Sequence, residues 1–224
     1  DITFSLRADG DIILSPEIDG VPPAQNLIVR AARLLQRHTG CELGADIGLV
    51  KRLPMGGGLG GGSSDAATAL LALDTLWQTG LGSDRLADLG LSLGADVPVF
   101  VRGFAAWAEG VGERLQAIDL PEPWYVVLTP EAHVSTAAAF GHPELTRNTT
   151  PITMRAFFAG GGRNDFEPVV RRLSPAVDAA LEWLAQPWFH AVQGNHEALA
   201  VSYLCGDPLD LDMYRAAGGG WFLD

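Results

Sequence analysis

Residues 54–67 read P-M-G-G-G-L-G-G-G-S-S-D-A-A, and the fold turns on how this stretch is understood. Six glycines occupy the seven positions from Gly56 to Gly62, with only Leu59 between them. Glycine gives up more backbone entropy on folding than any other residue, so a dense cluster needs a reason. The commonest one is a backbone that must approach an anion closely with its N–H groups turned toward the charge. Just after the cluster, A-A-T-A-L-L-A-L-D-T-L-W is good helix material, and Ser63, Ser64 and Asp65 are residues of the kind that cap helices. A helix starting there adds unpaired amides and the positive end of its dipole. The stretch is therefore expected to be a phosphate-binding loop feeding a helix. A flexible Gly/Ser linker is the competing reading. It is weakened by K-R-L-P-M on one side and the helix on the other.

Outward from the loop, Ala45 to Leu53 reads as a strand leading into it, and Lys51 on that approach is the chain's only lysine. It is either a surface charge or a nucleotide contact. Upstream, I-T-F-S-L-R and I-I-L flank Asp9-Gly10 and predict a β-hairpin. Asn26 is placed to cap a helix through His38, closed by Gly40, with Leu27, Ala31, Leu34 and Leu35 on one face. Downstream, the loop helix is expected to reach Gln78 or Thr79. Ser83 to Leu89 follows as a short Ser-capped helix, and V-P-V-F-V (97–101) as a buried strand-like segment. Asp96 sits at the mouth of that apolar run. Most such aspartates cap a helix or turn, yet a carboxylate beside apolar residues needs polar partners. A second hairpin is expected around Gly110 and Gly112, and Pro121-Glu122-Pro123 is the candidate boundary between two units. Ser135 to Phe140 begins a short helix, in which Phe140 reads as core, and Gly160 to Gly162 read as a loop break between helices.

Composition narrows the partners. With 224 residues, 47% of them hydrophobic, the chain can bury a substantial core. A net charge of −12 argues against a nucleic-acid backbone as partner, while leaving a nucleotide held by local amides and a metal ion. Cys41 and Cys205 provide neither a disulfide framework nor metal-ligand spacing. That cysteine usage fits a reducing cytoplasm, and with no run of 18 apolar residues and no basic-then-apolar opening segment a soluble protein is expected.

The stretch K-R-L-P-M-G-G-G-L-G-G-G-S-S-D-A-A resembles the second motif of the GHMP kinase superfamily. Three further stretches, N-L-I-V-R-A-A-R-L-L, L-G-A-D-V-P-V-F-V-R-G and A-E-G-V-G-E, resemble the 4-diphosphocytidyl-2-C-methyl-D-erythritol kinase family within it, over residues 1–184. The resemblance implies an α+β fold of two parts. Residues 1–120 would be an ATP-binding domain like the second domain of ribosomal protein S5, lacking its first strands. Residues 121–184 would begin a ferredoxin-like substrate domain. It also implies ATP-dependent phosphorylation, with Mg²⁺, of the 2-hydroxyl of a small cytidine-diphosphate-linked methylerythritol. ATP would be held by Pro54, Met55, Gly56, Gly57, Gly58, Leu59, Gly60, Gly61, Gly62, Ser63 and Ser64, with Lys51 beside them. Asp96 would be the catalytic carboxylate, accepting the hydroxyl proton while amides and Mg²⁺ stabilise charge on the phosphoryl group. Thr136 and Phe140 would meet the substrate, with Phe140 stacking on cytosine.

The family's P-A-K-L-N-L strand, its G-Y-H motif and its third glycine motif G-T-G-A-C-V-F have no counterpart in this sequence. From this the chain is expected to start after the leading strands and to be impaired in turnover. Residues 185–224 are expected to be an unrelated tail joined near Leu181 to Pro187. Its G-N-H-E resembles a phosphoprotein phosphatase motif, in which Asn195 would ligate metal and His196 would protonate a leaving group. With the rest of that metal site absent, the tail is expected to be inactive. The alternatives to a kinase are thus a metallophosphatase fragment or a non-catalytic nucleotide-binding remnant.

Overall fold

A computed structural model describes residues 1–53, 58–120, 125–185, 190–193 and 199–202 of the chain. The first unit is a three-stranded sheet covered by helices. Strands β1 (Ile2–Arg7) and β2 (Ile12–Ser15) do not pair as the expected hairpin, because β3 (Gly44–Leu49) lies between them. It runs antiparallel to β1 and parallel to β2, with Phe4 and Leu14 both opposite Ile47. Asp9-Gly10 does turn the chain, with Gly10 at φ +75°, but the turn spans the end of β3.

Composition explains the insertion. Ala45, Ile47 and Leu49 alternate toward the helices and are buried, which suits the central position. Glycines on β3 give its neighbours room. A Cβ on Gly44 would fall 2.1 Å from the Asp11 carbonyl oxygen, and one on Gly48 would fall 2.4 Å from Thr3 Oγ1. A local hairpin would leave this apolar strand without its two flanks.

Helix α1 (Leu27–Thr39) is capped as expected: Asn26 accepts from the Ile28 amide at 2.9 Å, and Gly40 closes it in the left-handed region. Its buried face is Ile28, Ala31, Ala32 and Leu35, the i, i+3, i+4, i+7 spacing of a helix on a sheet. Helix α2 (Gly61–Leu76) packs against α1, α3 (Gly82–Leu91), α4 (Val97–Arg102) and β1. Small residues let the neighbours approach: Ala66, Ala67 and Ala69 are fully covered along with Leu70 and Leu73. At its far end the Trp77 indole donates to the Gly44 carbonyl at 3.1 Å, joining helix to sheet.

Two expectations about helices are corrected. V-P-V-F-V is helical, not a strand. Val97, Pro98 and Val101 are the buried positions, a helical spacing; Pro98 suits a first turn and Gly103 (φ +70°) ends it. Ser63, Ser64 and Asp65 are not caps, since α2 begins before them. Gly60, in the left-handed region, is the N-cap, and no side chain caps the helix. Likewise α3 begins at Gly82, and Ser83 makes no cap.

Strands β4 (Ala106–Glu109) and β5 (Arg114–Ala117) form the expected second hairpin, with Gly110 and Gly112 at positive φ in its turn. Pro121-Glu122-Pro123 lies outside the described residues. Beyond it, β6 (Tyr125–Leu128), α5 (Thr136–Gly141), the single turn α6 (Met154–Ala156), α7 (Glu167–Leu173) and α8 (Pro175–Leu184) follow. Gly160 kinks the turn after α6 with φ +85°. Cores divide accordingly. One cluster joins the first sheet to α1–α4, and two small ones centre on Val134, Val177, Leu181 and Leu184 and on Ala139, Leu145 and Val169. Strands β7 (His190–Gln193) and β8 (Leu199–Ser202) pair with each other, and β8 pairs antiparallel with β6. The tail thus supplies two strands to the sheet that β6 opens.

Candidate nucleotide and substrate site

Four segments converge on the start of α2. The loop itself contributes Gly58 to Gly60, with Gly58 and Gly60 at φ +66° and +68°. Pro54, Met55, Gly56 and Gly57 lie outside the described residues. From Gly60 the chain enters α2 through Gly61, Gly62, Ser63 and Ser64, so the first-turn amides open on the side from which the loop arrives.

The second segment is α4. A Cβ on Gly60 would stand 2.7 Å from Phe100 Cζ, so the ring occupies the space that any other residue would need. The third is the turn Gly94-Ala95-Asp96, set by the Val97 amide donating to the Gly94 carbonyl at 3.1 Å. A Cβ on Gly94 would lie 3.8 Å from Ser63 Oγ, which puts this turn against the first turn of α2. The tip of the second hairpin closes on the same turn, where a Cβ on Gly112 would meet the Ala95 carbonyl oxygen at 2.9 Å.

Asp96 occupies the N-cap position of α4 without making a capping hydrogen bond, and it is exposed. The role most aspartates have at such a position is therefore not the one this side chain plays. Chemically it is an ionisable oxygen pair, next to the helix start and open to a ligand.

The fourth segment is the strand approach. Lys51 Nζ lies 2.5 Å from Asp65 Oδ2, with both side chains about a quarter exposed. It is not an ordinary surface charge. Sequence reading missed its partner, because Asp65 is fourteen residues away and only the phase of α2 brings it round. The hairpin tip has an acid of its own. Glu113 accepts from the Val111 amide at 2.7 Å, and its own amide together with that of Val111 holds the carboxyl below the usual glutamate range.

Thr136 and Phe140 are on α5, in the second unit. Thr136 is the first residue of that helix, and its side chain lies outside the described ones. Phe140 is not core: it is 56% exposed, its ring held edge-on by Phe166 with centroids 4.7 Å apart. The Arg147 guanidinium donates to the carbonyls of Phe140, His142 and Leu145, fixing the end of α5. Asn195 and His196 lie outside the described residues. Among those described, no group of three or more His, Cys, Asp or Glu is placed to hold a metal ion, and no helix is long and apolar enough to cross a membrane.

An α+β unit with a glycine loop entering a long helix defines the class first: the family model of the GHMP kinases N terminal domain matches residues 26–104, from the cap of α1 to just past α4. Among curated relatives, 4-diphosphocytidyl-2-C-methyl-D-erythritol kinase of Ectopseudomonas mendocina (strain ymp) is 64% identical over 181 residues, covering 81% of this chain and 62% of its own length. The enzyme of that name from Chromohalobacter salexigens is 63% identical over 188 residues, covering 81% of this chain and 63% of the relative. A solved structure of 4-(cytidine 5'-diphospho)-2C-methyl-D-erythritol kinase superposes with a TM-score of 0.72 at 32% identity, over 90% of this chain and 75% of that one. The chain belongs to the 4-diphosphocytidyl-2-C-methyl-D-erythritol kinase family of GHMP kinases. It spans a little over three-fifths of the length of the two curated relatives. A homoserine kinase from Cytophaga hutchinsonii, 16% identical with a TM-score of 0.65, shares the fold.

Proposed function

We propose that the chain transfers the terminal phosphoryl group of ATP to the 2-hydroxyl of 4-diphosphocytidyl-2-C-methyl-D-erythritol, as a cytoplasmic enzyme. The observation that carries this reading is the Gly94–Asp96 turn against Ser63: an exposed carboxylate without a capping role beside the uncapped start of a sixteen-residue helix. The name shared by the 60–64% identical relatives supplies the substrate.

In this reading the loop amides and the first turn of α2 bind the phosphate chain by hydrogen bonding and helix dipole. Residues 54–64 are assigned to ATP, with Gly58 to Ser64 the described part, and at Gly60 the Phe100 ring leaves no room for a side chain. Asp96 accepts the proton of the attacking hydroxyl. Phe140 offers an open aromatic face to the cytosine ring, with Thr136 at the start of the same helix.

The donor set also fits Mg²⁺. That ion keeps several waters and needs only one or two protein oxygens besides substrate phosphates; Ser63 Oγ lies 3.8 Å from the Cβ position of Gly94, and Asp96 is two residues further along the same turn. When bound, the ion would offset negative charge on the transferring phosphoryl group.

The test is turnover by the full chain with ATP, Mg²⁺ and the cytidine substrate, read as ADP release and as phosphorylated product. Product formation lost in Asp96→Asn is expected. ATP binding without turnover would instead favour a non-catalytic nucleotide-binding role, and no ATP binding at all would remove the loop assignment.

A further inference from the structure

The Lys51–Asp65 pair puts a cation where the local field is already positive. Lys51 Nζ sits 3.3 Å from the point a Cβ on Gly61 would occupy, beside the first residue of α2. The N-terminus of a helix carries the positive end of its dipole, which favours anions and repels an ammonium. No acidic residue lies in the first turn of α2 to offset it, and Gly60 provides no side-chain cap. Asp65, one turn further in, makes the compensating contact at 2.5 Å. Leu53 Cδ1 is 3.6 Å from the same Gly61 point, so the glycine leaves room there for both the lysine tip and the leucine. At 24% and 22% exposure, the two charges are screened less than a surface pair.

We propose that Asp65 is a positioning residue for nucleotide binding, holding the Lys51 ammonium at the first turn of α2 and competing through its own charge with the phosphate chain for that ammonium. The inference rests on the nucleotide reading of the loop. A nucleoside triphosphate brings several negative charges to a place where Asp65 already supplies one. The carboxylate thus keeps the ammonium in position when no nucleotide is bound, and it opposes the incoming phosphates when one arrives. Asp65 lowers affinity, and more so the more highly charged the nucleotide.

Calorimetric titration of the full chain with ATP, ADP and AMP tests this on wild type, Asp65→Asn, Lys51→Met and the double variant. Asn keeps the size and a hydrogen-bonding oxygen but removes the charge. Asp65→Asn is expected to bind ATP about fivefold tighter, the scale of one partly screened charge pair. The gain should shrink from ATP to ADP to AMP, a grading that a purely structural role would not produce. Lys51→Met should weaken ATP binding by a similar factor. In the double variant the gain from Asp65→Asn should be smaller than in the wild-type background, since the contested ammonium is gone. If Asp65→Asn misfolds by its melting curve, Asp65→Ser carries the same comparison. Wild-type binding with an Asp65→Asn affinity that is unchanged or weaker overturns this inference alone. Absence of ATP binding in wild type and variants alike overturns the nucleotide reading and the inference with it.

Discussion

Phe100 and Gly60 are matched in shape: the ring of one fills the volume that a side chain on the other would claim, at 2.7 Å from a Cβ position. Gly60 also holds φ +68°, a conformation that residues with a Cβ adopt at a cost. Gly60→Val therefore meets two separate obstacles. A loss of about 1–3 kcal/mol in chemical denaturation is expected, together with weaker ATP binding. Adding Phe100→Ala should recover the steric share and leave the backbone share, so partial but incomplete rescue is the outcome to look for.

Asp96 is exposed and makes no capping bond, so its removal should cost activity and not stability. Asp96→Asn is expected to lower kcat by about a hundredfold to ten-thousandfold, the range for losing a general base, with the melting temperature unchanged. A large fall in melting temperature would show that the carboxylate is structural after all.

At the opposite end of α2, Trp77 is buried and donates to the Gly44 carbonyl. Trp77→Phe keeps most of the apolar surface but removes the indole donor to that carbonyl. The expected cost is about 1–3 kcal/mol in urea denaturation. Gly44→Ala should cost more, because its Cβ would press on the Asp11 carbonyl oxygen at 2.1 Å, a backbone atom that cannot swing aside.

Phe140 keeps its orientation through Phe166 and through the guanidinium of Arg147. On the proposed function, Arg147→Ala and Phe166→Leu are expected to raise KM for the cytidine substrate several-fold while leaving KM for ATP unaltered. Steady-state kinetics with each substrate varied in turn separates this from a general loss of structure, which would move both.

The hairpin tip gives a pH signature. Backbone amides hold the Glu113 carboxyl below its ordinary range, so the charged form is favoured more in the folded chain than in the unfolded one. Its contribution is then complete above the ordinary glutamate pKa and disappears as pH falls through the lowered value. Melting of Glu113→Gln against wild type should show a small deficit at neutral pH that vanishes in acid. A deficit that grows in acid would contradict the sign.

Much of this was legible in the residues themselves. Asn26 and Gly40 mark the ends of α1 because capping is local chemistry, and the Gly110/Gly112 hairpin announces itself the same way. What local chemistry does not carry is pairing. Ile2–Arg7 and Ile12–Ser15 look like a hairpin until Gly44–Leu49 is known to enter between them, and its fitness for the centre depends on glycines facing Asp11 and Thr3. V-P-V-F-V misleads by composition: β-branched residues favour strands, yet Pro98 in the first turn and Gly103 directly after Arg102 mark a short helix. In the site, Asp96 and the loop were visible as motifs, whereas the contacts of Lys51 with Asp65 and of Gly60 with Phe100 depend on helix phase and packing.

The place of β3 in its sheet has a further consequence, for the order of synthesis. A nascent chain that has delivered β1 and β2 holds two strands whose facing edges both wait for a segment not yet made, with the whole of α1 emerging in between. Neither strand can finish its hydrogen bonding until Gly44–Leu49 leaves the ribosome, and the glycine loop follows directly behind. The sheet and the approach to the candidate phosphate loop would then form as one event, while α2 to α4 and the second hairpin are still to be made.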